Sequence, residues 1–208
     1  MTKFNVFLIL LLFLLMTISV NAQVHVGVIG GVNLASVNLD PLEGGVEISN
    51  LTVFGIGGVI DYEFNESMAL RFEPMYIQKG AKGSWNIFEM EDKLSYIEIP
   101  ILLKYSIGKG KIKPYLEAGP YIGFLLAGTG KVSGGGYSEE EDIKDATKSL
   151  DFGLGFGAGV SVPVSKNYIF LEARYALGLV NINEDPDDPD TEVKTKGIQV
   201  FVGMTFPL

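Results

Sequence analysis

The stretch Asp151-Phe152-Gly153-Leu154-Gly155-Phe156-Gly157-Ala158-Gly159-Val160-Ser161-Val162 decides the fold. Every second residue from Phe152 to Val162 is apolar, and the residues between are aspartate, glycine or serine. A period of two belongs to an extended strand, whose side chains point alternately to opposite faces. The telling point is which face is bulky. A strand in a water-soluble barrel turns its large apolar face inward to build a core. Here the opposite face has almost nothing with which to cover a polar exterior. Large apolar residues outward, with glycine and polar residues inward, is the arrangement of a strand in lipid.

Working outward, the same alternation recurs. Eight strands are expected at about 24–34, 52–64, 68–79, 94–107, 112–126, 150–162, 168–180 and 196–208. One face of the fourth carries Ile97, Ile99, Ile101, Leu103, Tyr105 and Ile107. The seventh carries Ile169, Leu171, Ala173, Tyr175, Leu177 and Leu179, and the last carries Ile198, Val200, Val202, Met204, Phe206 and Leu208. Their opposite faces hold glycine, hydroxyls and charge, including Glu98, Lys104, Glu172 and Arg174. The expected fold is an all-β, eight-stranded, antiparallel up-and-down transmembrane β-barrel. Closure satisfies every backbone group, as hydrocarbon requires.

Composition fits that reading. The chain has 208 residues, 26 of them glycine, a formal charge of −9 and a pI of about 4.6, which argues against nucleic acid as a partner. Mean hydropathy is +0.28 although 20% of residues are charged. There is no cysteine, so disulfides, thiolate metal sites and cysteine nucleophiles are excluded. Lys3 precedes an apolar run that ends at Val20-Asn21-Ala22, the pattern of a secretory signal peptide (residues 1–22) cleaved after Ala22. Residues 23–208 then form one barrel domain.

Connections alternate in length. Long ones fall at 35–51, 80–93, 127–149 and 181–195, and short ones at 65–67, 108–111 and 163–167. Outer-membrane barrels have short periplasmic turns and long outer loops, so the long acidic loops should face outside. Tyr62, Phe64 and Tyr105 would mark an inner aromatic girdle, and Phe54, Tyr76 and Phe124 an outer one. Pro74, Pro100 and Pro120 fall inside strands, where bulges or local bends are expected.

Several segments resemble the PorT-family outer-membrane β-barrel domain of Bacteroidetes-type Gram-negative bacteria. They are Glu73-Pro74-Met75-Tyr76-Ile77-Gln78-Lys79-Gly80, Tyr96-Ile97-Glu98-Ile99-Pro100, Lys113-Pro114-Tyr115 with Ala118-Gly119-Pro120-Tyr121, the Asp151–Gly159 ladder, and Glu172-Ala173-Arg174-Tyr175-Ala176-Leu177-Gly178. The resemblance implies a small eight-stranded barrel in the cell outer membrane. It speaks to fold and location, and little to activity.

Alternation turns Asp61, Glu63, Arg71, Glu73, Glu98, Lys104, Glu117, Asp151, Glu172 and Arg174 inward. Charges within a membrane span must be paired. A salt-bridged network of Arg71, Glu73, Glu98, Lys104, Glu117, Glu172 and Arg174 is therefore expected to plug the lumen. The sole histidine, His25, allows no Ser–His–Asp or Cys–His constellation at the outer rim. No catalytic residue and no cofactor is expected, and the chain reads as a non-enzyme. The glycines recur with period two, unlike the G-x-G-x-x-G of a dinucleotide site.

Two loops are densely acidic, at Glu139-Glu140-Glu141-Asp142 and around Asp185, Asp187, Asp188 and Asp190. The second is a weak calcium candidate without EF-hand spacing. Trp85 and Phe88 either form an adhesive loop tip or stack on the rim. The expected partners are outer-membrane lipid and, through the outer loops, other proteins, with the barrel itself a monomer. The expected role is structural or interactive, the alternative being a narrow pore or an accessory component of an outer-membrane transport or secretion system.

Overall fold

The computed structural model describes residues 23–41, 47–108, 110–186 and 188–208. The expected signal peptide lies outside the described residues, as does Asp187. Eleven strands follow one another: β1 (Gln23–Asp40), β2 (Glu47–Ser49), β3 (Leu51–Glu63), β4 (Met68–Phe72), β5 (Met75–Trp85), β6 (Phe88–Ser106), β7 (Lys113–Gly134), β8 (Tyr137–Asp142), β9 (Leu150–Val164), β10 (Asn167–Gly178) and β11 (Glu192–Pro207). All pairings are antiparallel.

The pairings close on themselves. β1 pairs β3, β3 pairs both β4 and β5, these pair β6, and the ladder continues through β7, β9, β10 and β11 back to β1. β4 and β5 share one register against β6, so they are a single interrupted strand. The ring thus contains the eight strands read from the alternation. β2 and β8 are additions, paired to β5 and β7 beyond the ring.

Burial is inside out. Phe156, Leu171, Val202 and Leu103 on the outer face are about half exposed, whereas Arg71, Glu73, Glu98 and Glu172 are at most 2% exposed. In water an apolar belt of this extent would drive aggregation; in lipid it is the solvated face. At the end that carries both termini, here termed proximal, Tyr62 and Phe64 meet edge to face with centroids 5.4 Å apart. At the distal end of the belt Phe54 and Tyr76 lie 5.6 Å apart.

The glycine ladder of β9 makes room in the lumen. A Cβ at Gly153 would stand 2.4 Å from the Tyr121 ring, one at Gly157 2.9 Å from Glu117, and one at Gly159 2.4 Å from the Tyr115 ring. Bulky side chains of β7 lean over the neighbouring β9 toward β10 and β11 because β9 presents hydrogen atoms there.

Two expectations need correction. Residues 80–93, read as a loop, are a β-hairpin in which β5 and β6 pair to Trp85↔Phe88. Likewise β7 runs to Gly134 and turns through Gly135 and Gly136, both at positive φ as a tight hairpin turn demands, into β8. The acidic run Glu139–Asp142 is therefore a strand. The second correction concerns the prolines. At Pro74 the β4–β5 strand is interrupted, and the β6–β7 ladder skips between Pro100↔Tyr121 and Leu103↔Ala118, opposite Pro120, yet register is unchanged across both gaps. The one register shift on β6–β7 lies elsewhere, between Ser95 and Tyr96. Proline removes a ladder donor, and the freed groups find partners: the Glu73 N–H donates to Pro100 O at 3.2 Å and the Gly58 N–H to Pro74 O at 3.0 Å.

Candidate functional site

The lumen holds two charge clusters. The proximal one is built on β3, β4, β6, β7 and β10. Arg71 grips Asp61 with two parallel bonds, Nε to Oδ1 at 2.7 Å and Nη2 to Oδ2 at 2.8 Å. Its Nη1 donates to Glu172 Oε2 at 2.8 Å and lies 3.5 Å from Glu73 and 3.6 Å from Glu117. Arg174 Nη2 reaches Glu172 Oε1 at 2.5 Å, Glu73 Oε2 at 2.6 Å and Glu117 Oε1 at 2.9 Å. Lys104 adds a contact to Asp61 at 3.2 Å, and the Tyr115 hydroxyl donates to Glu172 at 2.8 Å. Two planar guanidinium forks serve four carboxylates, which single ammonium groups would do less well.

Aromatic faces complete the cationic shell. Arg71 lies 4.5 Å from the Phe170 centroid and Lys104 4.5 Å from that of Tyr115. Glu73, Glu117 and Glu172 bring ligand atoms within 4.8 Å of one another, close enough to share a cation. The protein's own Arg174 already occupies that role, in contact with all three.

The second cluster lies distally, in the upper lumen. Lys79 of β5 bridges Glu98 at 2.5 Å and Asp151 at 2.8 Å. Its ammonium sits 4.1 Å from the Tyr121 centroid and 5.3 Å from that of Tyr96. The Thr195 hydroxyl donates to Asp151 at 2.9 Å. The expected network of seven is thus divided: Glu98 belongs with Lys79 and Asp151, while Asp61 joins the other six. Lys79 lies within the expected third strand, 68–79, and shares the parity of Arg71 and Glu73, yet the expected set of inward charges does not include it. Glu63 is only partly buried and lies 3.5 Å from His25 at the proximal end.

Both ends of the lumen are narrow. Proximally, a recess of about 30 Å³, bordered by Asp61, Glu63, Lys104 and Lys113, has room for about one water. Distally, buried Leu94, Leu125 and Ile182 close over the Lys79 cluster, with Ile143 and Val193 packed against them. In the last loop, Asp188 accepts from the Thr191 hydroxyl at 2.9 Å, and the Asn183 side chain donates to the carbonyls of Asp188 and Thr191. Asp188 thus helps to shape the loop. Trp85 is half exposed at the β5–β6 tip, while Phe88 lies against Gly134.

A family described as outer membrane protein beta-barrel domain matches residues 19–184, most of the chain, leaving only β11 of the ring beyond the match. Among solved structures, Neisserial surface protein A (NspA) is similar at 17% identity and a TM-score of 0.48, over 86% of this chain and 95% of that one. OprG from Pseudomonas aeruginosa is similar at 12% identity and a TM-score of 0.48, over 90% and 95%. The outer membrane protease OmpT from Escherichia coli is similar at 7% identity and a TM-score of 0.37, over 91% and 99%. No curated protein matches the chain at a significant level. With the closed ring and the outward apolar belt, the family match places the protein in the outer membrane: the chain belongs to the outer membrane protein beta-barrel domain family.

Proposed function

We propose that this protein is a closed outer-membrane barrel whose lumen is a structural brace and whose role is exercised by its extracellular strands. The observation that carries this reading is the pair of stacked clusters: ten ionisable side chains, tied across the barrel by two arginines and two lysines, fill the lumen from Asp61 to Asp151. The apolar cover of Leu94, Leu125 and Ile182 adds a second barrier. On this reading the proximal end faces the periplasm, and the tall sheet formed by β2, β8 and the distal ends of β5, β6 and β7 stands outside the cell. Assignment to the PorT-type branch rests on the motifs from Glu73 to Gly80 and from Glu172 to Gly178 and belongs to this proposal. So does a non-enzymatic role, since His25, the sole histidine, sits at the periplasmic end, partnered by Glu63 and by the Tyr168 ring 5.5 Å away.

Planar-bilayer recording tests the reading. Purified protein should show no sustained conductance above the bare membrane. Steady, well-resolved channel currents from the wild-type barrel would overturn the brace and favour a narrow pore.

A further inference from the structure

The distal mouth holds a cavity that neither charge cluster uses. It has a volume of about 410 Å³ and lies between the tops of β1, β5 and β6 and the segments before β9 and β11. That volume is within the range of small-molecule sites, about 300–1,000 Å³. Its walls are largely apolar: Val37, Leu39, Ile48, Met90, Ile143 and Val193. Its floor is buried Leu94 and Ile182, the residues that cover the lumen, so it is a cup and not the entrance of a channel. Apolar walls with a few convergent polar groups are the usual composition of a ligand pocket.

The charged groups of the lining are mostly acidic. Asp92 stands in the wall, open to the cup, and among the described residues no hydrogen bond or ion pair of the protein engages its exposed carboxylate. Asp185 and Asp188 also line the cup, and Asp188 accepts from the Thr191 hydroxyl. The one lysine of the lining, Lys82, lies 3.5 Å from Glu91, so its charge is already matched. The rim is preorganised. The Asp185 N–H donates to Asn183 Oδ1 at 3.0 Å, the Val193 N–H to Asn181 Oδ1 at 2.8 Å, and the Thr147 hydroxyl to Ile143 O at 2.8 Å. A rim fixed by such bonds needs little ordering when a ligand arrives.

We propose that this cup is a binding site for a small amphipathic cation: an apolar or aromatic body seated against Met90, Ile143 and Val193, with a protonated amine directed at Asp92. An anion of the same shape would meet the Asp92 carboxylate and be rejected. A neutral analogue would gain the apolar contacts and lose the charge pairing.

The test uses the full barrel in lipid nanodiscs and three probes that share one body: 4-phenylbutylammonium, 4-phenyl-1-butanol and 4-phenylbutanoate. Isothermal titration calorimetry, with protein-free discs subtracted, reads saturable binding. The ammonium should bind at least tenfold more tightly than the carboxylate, with the alcohol between. Asp92→Asn should bring the ammonium to within about threefold of the alcohol. Gly83→Trp fills the cup from a position where a Cβ would meet only the Met90 and Ile48 side chains, at 3.6–3.9 Å, and should abolish binding of all three. Met90→Trp is the second filling variant, and far-UV circular dichroism establishes that each variant is folded. The proposal fails if the ammonium gives no saturable heat, if the carboxylate binds as tightly as the ammonium, or if a folded filling variant retains the wild-type affinity.

Discussion

The two luminal clusters solve the same problem with different chemistry. The proximal one sets four carboxylates against Arg71, Arg174 and Lys104; the distal one sets two against Lys79 alone. Arg174 touches Glu73, Glu117 and Glu172 through Nη2, with Nε also donating to Glu117, and so ties β10 to β7 and to the β4–β5 strand. An ammonium is a compact point charge. Lys79 therefore relies on the Tyr121 and Tyr96 rings for the rest of its shell. The difference teaches that the proximal cluster is a cross-brace between walls, whereas the distal one is a single filled socket.

The comparison can be broken at its strongest point first. Arg174→Met would leave Glu73 and Glu117 with no hydrogen-bonded cation and Glu172 with Arg71 alone, and breaking a buried pair costs about 3–5 kcal/mol. The expected loss is at the top of that range, read as a shift of the urea unfolding midpoint in micelles. An unchanged midpoint would mean that the cross-brace carries no load. Lys79→Met should cost less, about 3 kcal/mol by the same measurement, because only Glu98 and Asp151 lose their cation.

The glycine ladder offers a finer comparison. Gly159→Ala would push a methyl to 2.4 Å from the Tyr115 ring, and overpacking of this kind costs about 1–3 kcal/mol. Gly157→Ala meets Glu117 less closely, at 2.9 Å from its carboxylate instead of 2.4 Å from a ring, so its cost should be the smaller of the two. If the two variants unfold together, closeness of contact is not what distinguishes them.

The smallest effects belong outside the membrane. Trp85→Ala at the exposed hairpin tip should change stability by less than about 0.5 kcal/mol. At the top of β11, the Lys194 ammonium donates to Glu192 at 2.6 Å and holds that carboxyl below its ordinary titration range. A depressed carboxyl favours the fold at high pH, and the effect fades as pH falls through its folded midpoint. NMR titration should show the Glu192 midpoint rising in Lys194→Met; an unmoved midpoint would remove the pairing from the account.

Much of this architecture was legible because lipid imposes a strict period of two. Phe152, Leu154 and Phe156 face one solvent and Gly153, Gly155 and Gly157 another, so the strand and its inner face can be read together. Beyond the membrane that constraint lapses. From Lys82 to Lys93 both faces of the hairpin meet water or a wet cup, charge appears on either side, and alternation no longer marks a strand. The lumen was legible only by side. Parity puts Glu98 and Lys104 on the inner face, but they are six residues apart, roughly 20 Å along β6. Which partner meets each one depends on the stagger of neighbouring strands, and parity carries no stagger. Lys79, the last residue of the expected third strand, has the same parity, so its side was legible although the expected network omits it.

β8 has a consequence for neighbours in a crowded membrane. It pairs with β7 on one side only, and its six residues, four of them acidic, are all exposed. An unpaired edge strand is ordinarily an invitation to a second sheet. Here, two copies approaching edge to edge would set Glu139, Glu140, Glu141 and Asp142 against their own kind, and the repulsion grows as salt is withdrawn. The hairpin thus extends the wall above the membrane and carries its own electrostatic fence against indiscriminate strand exchange.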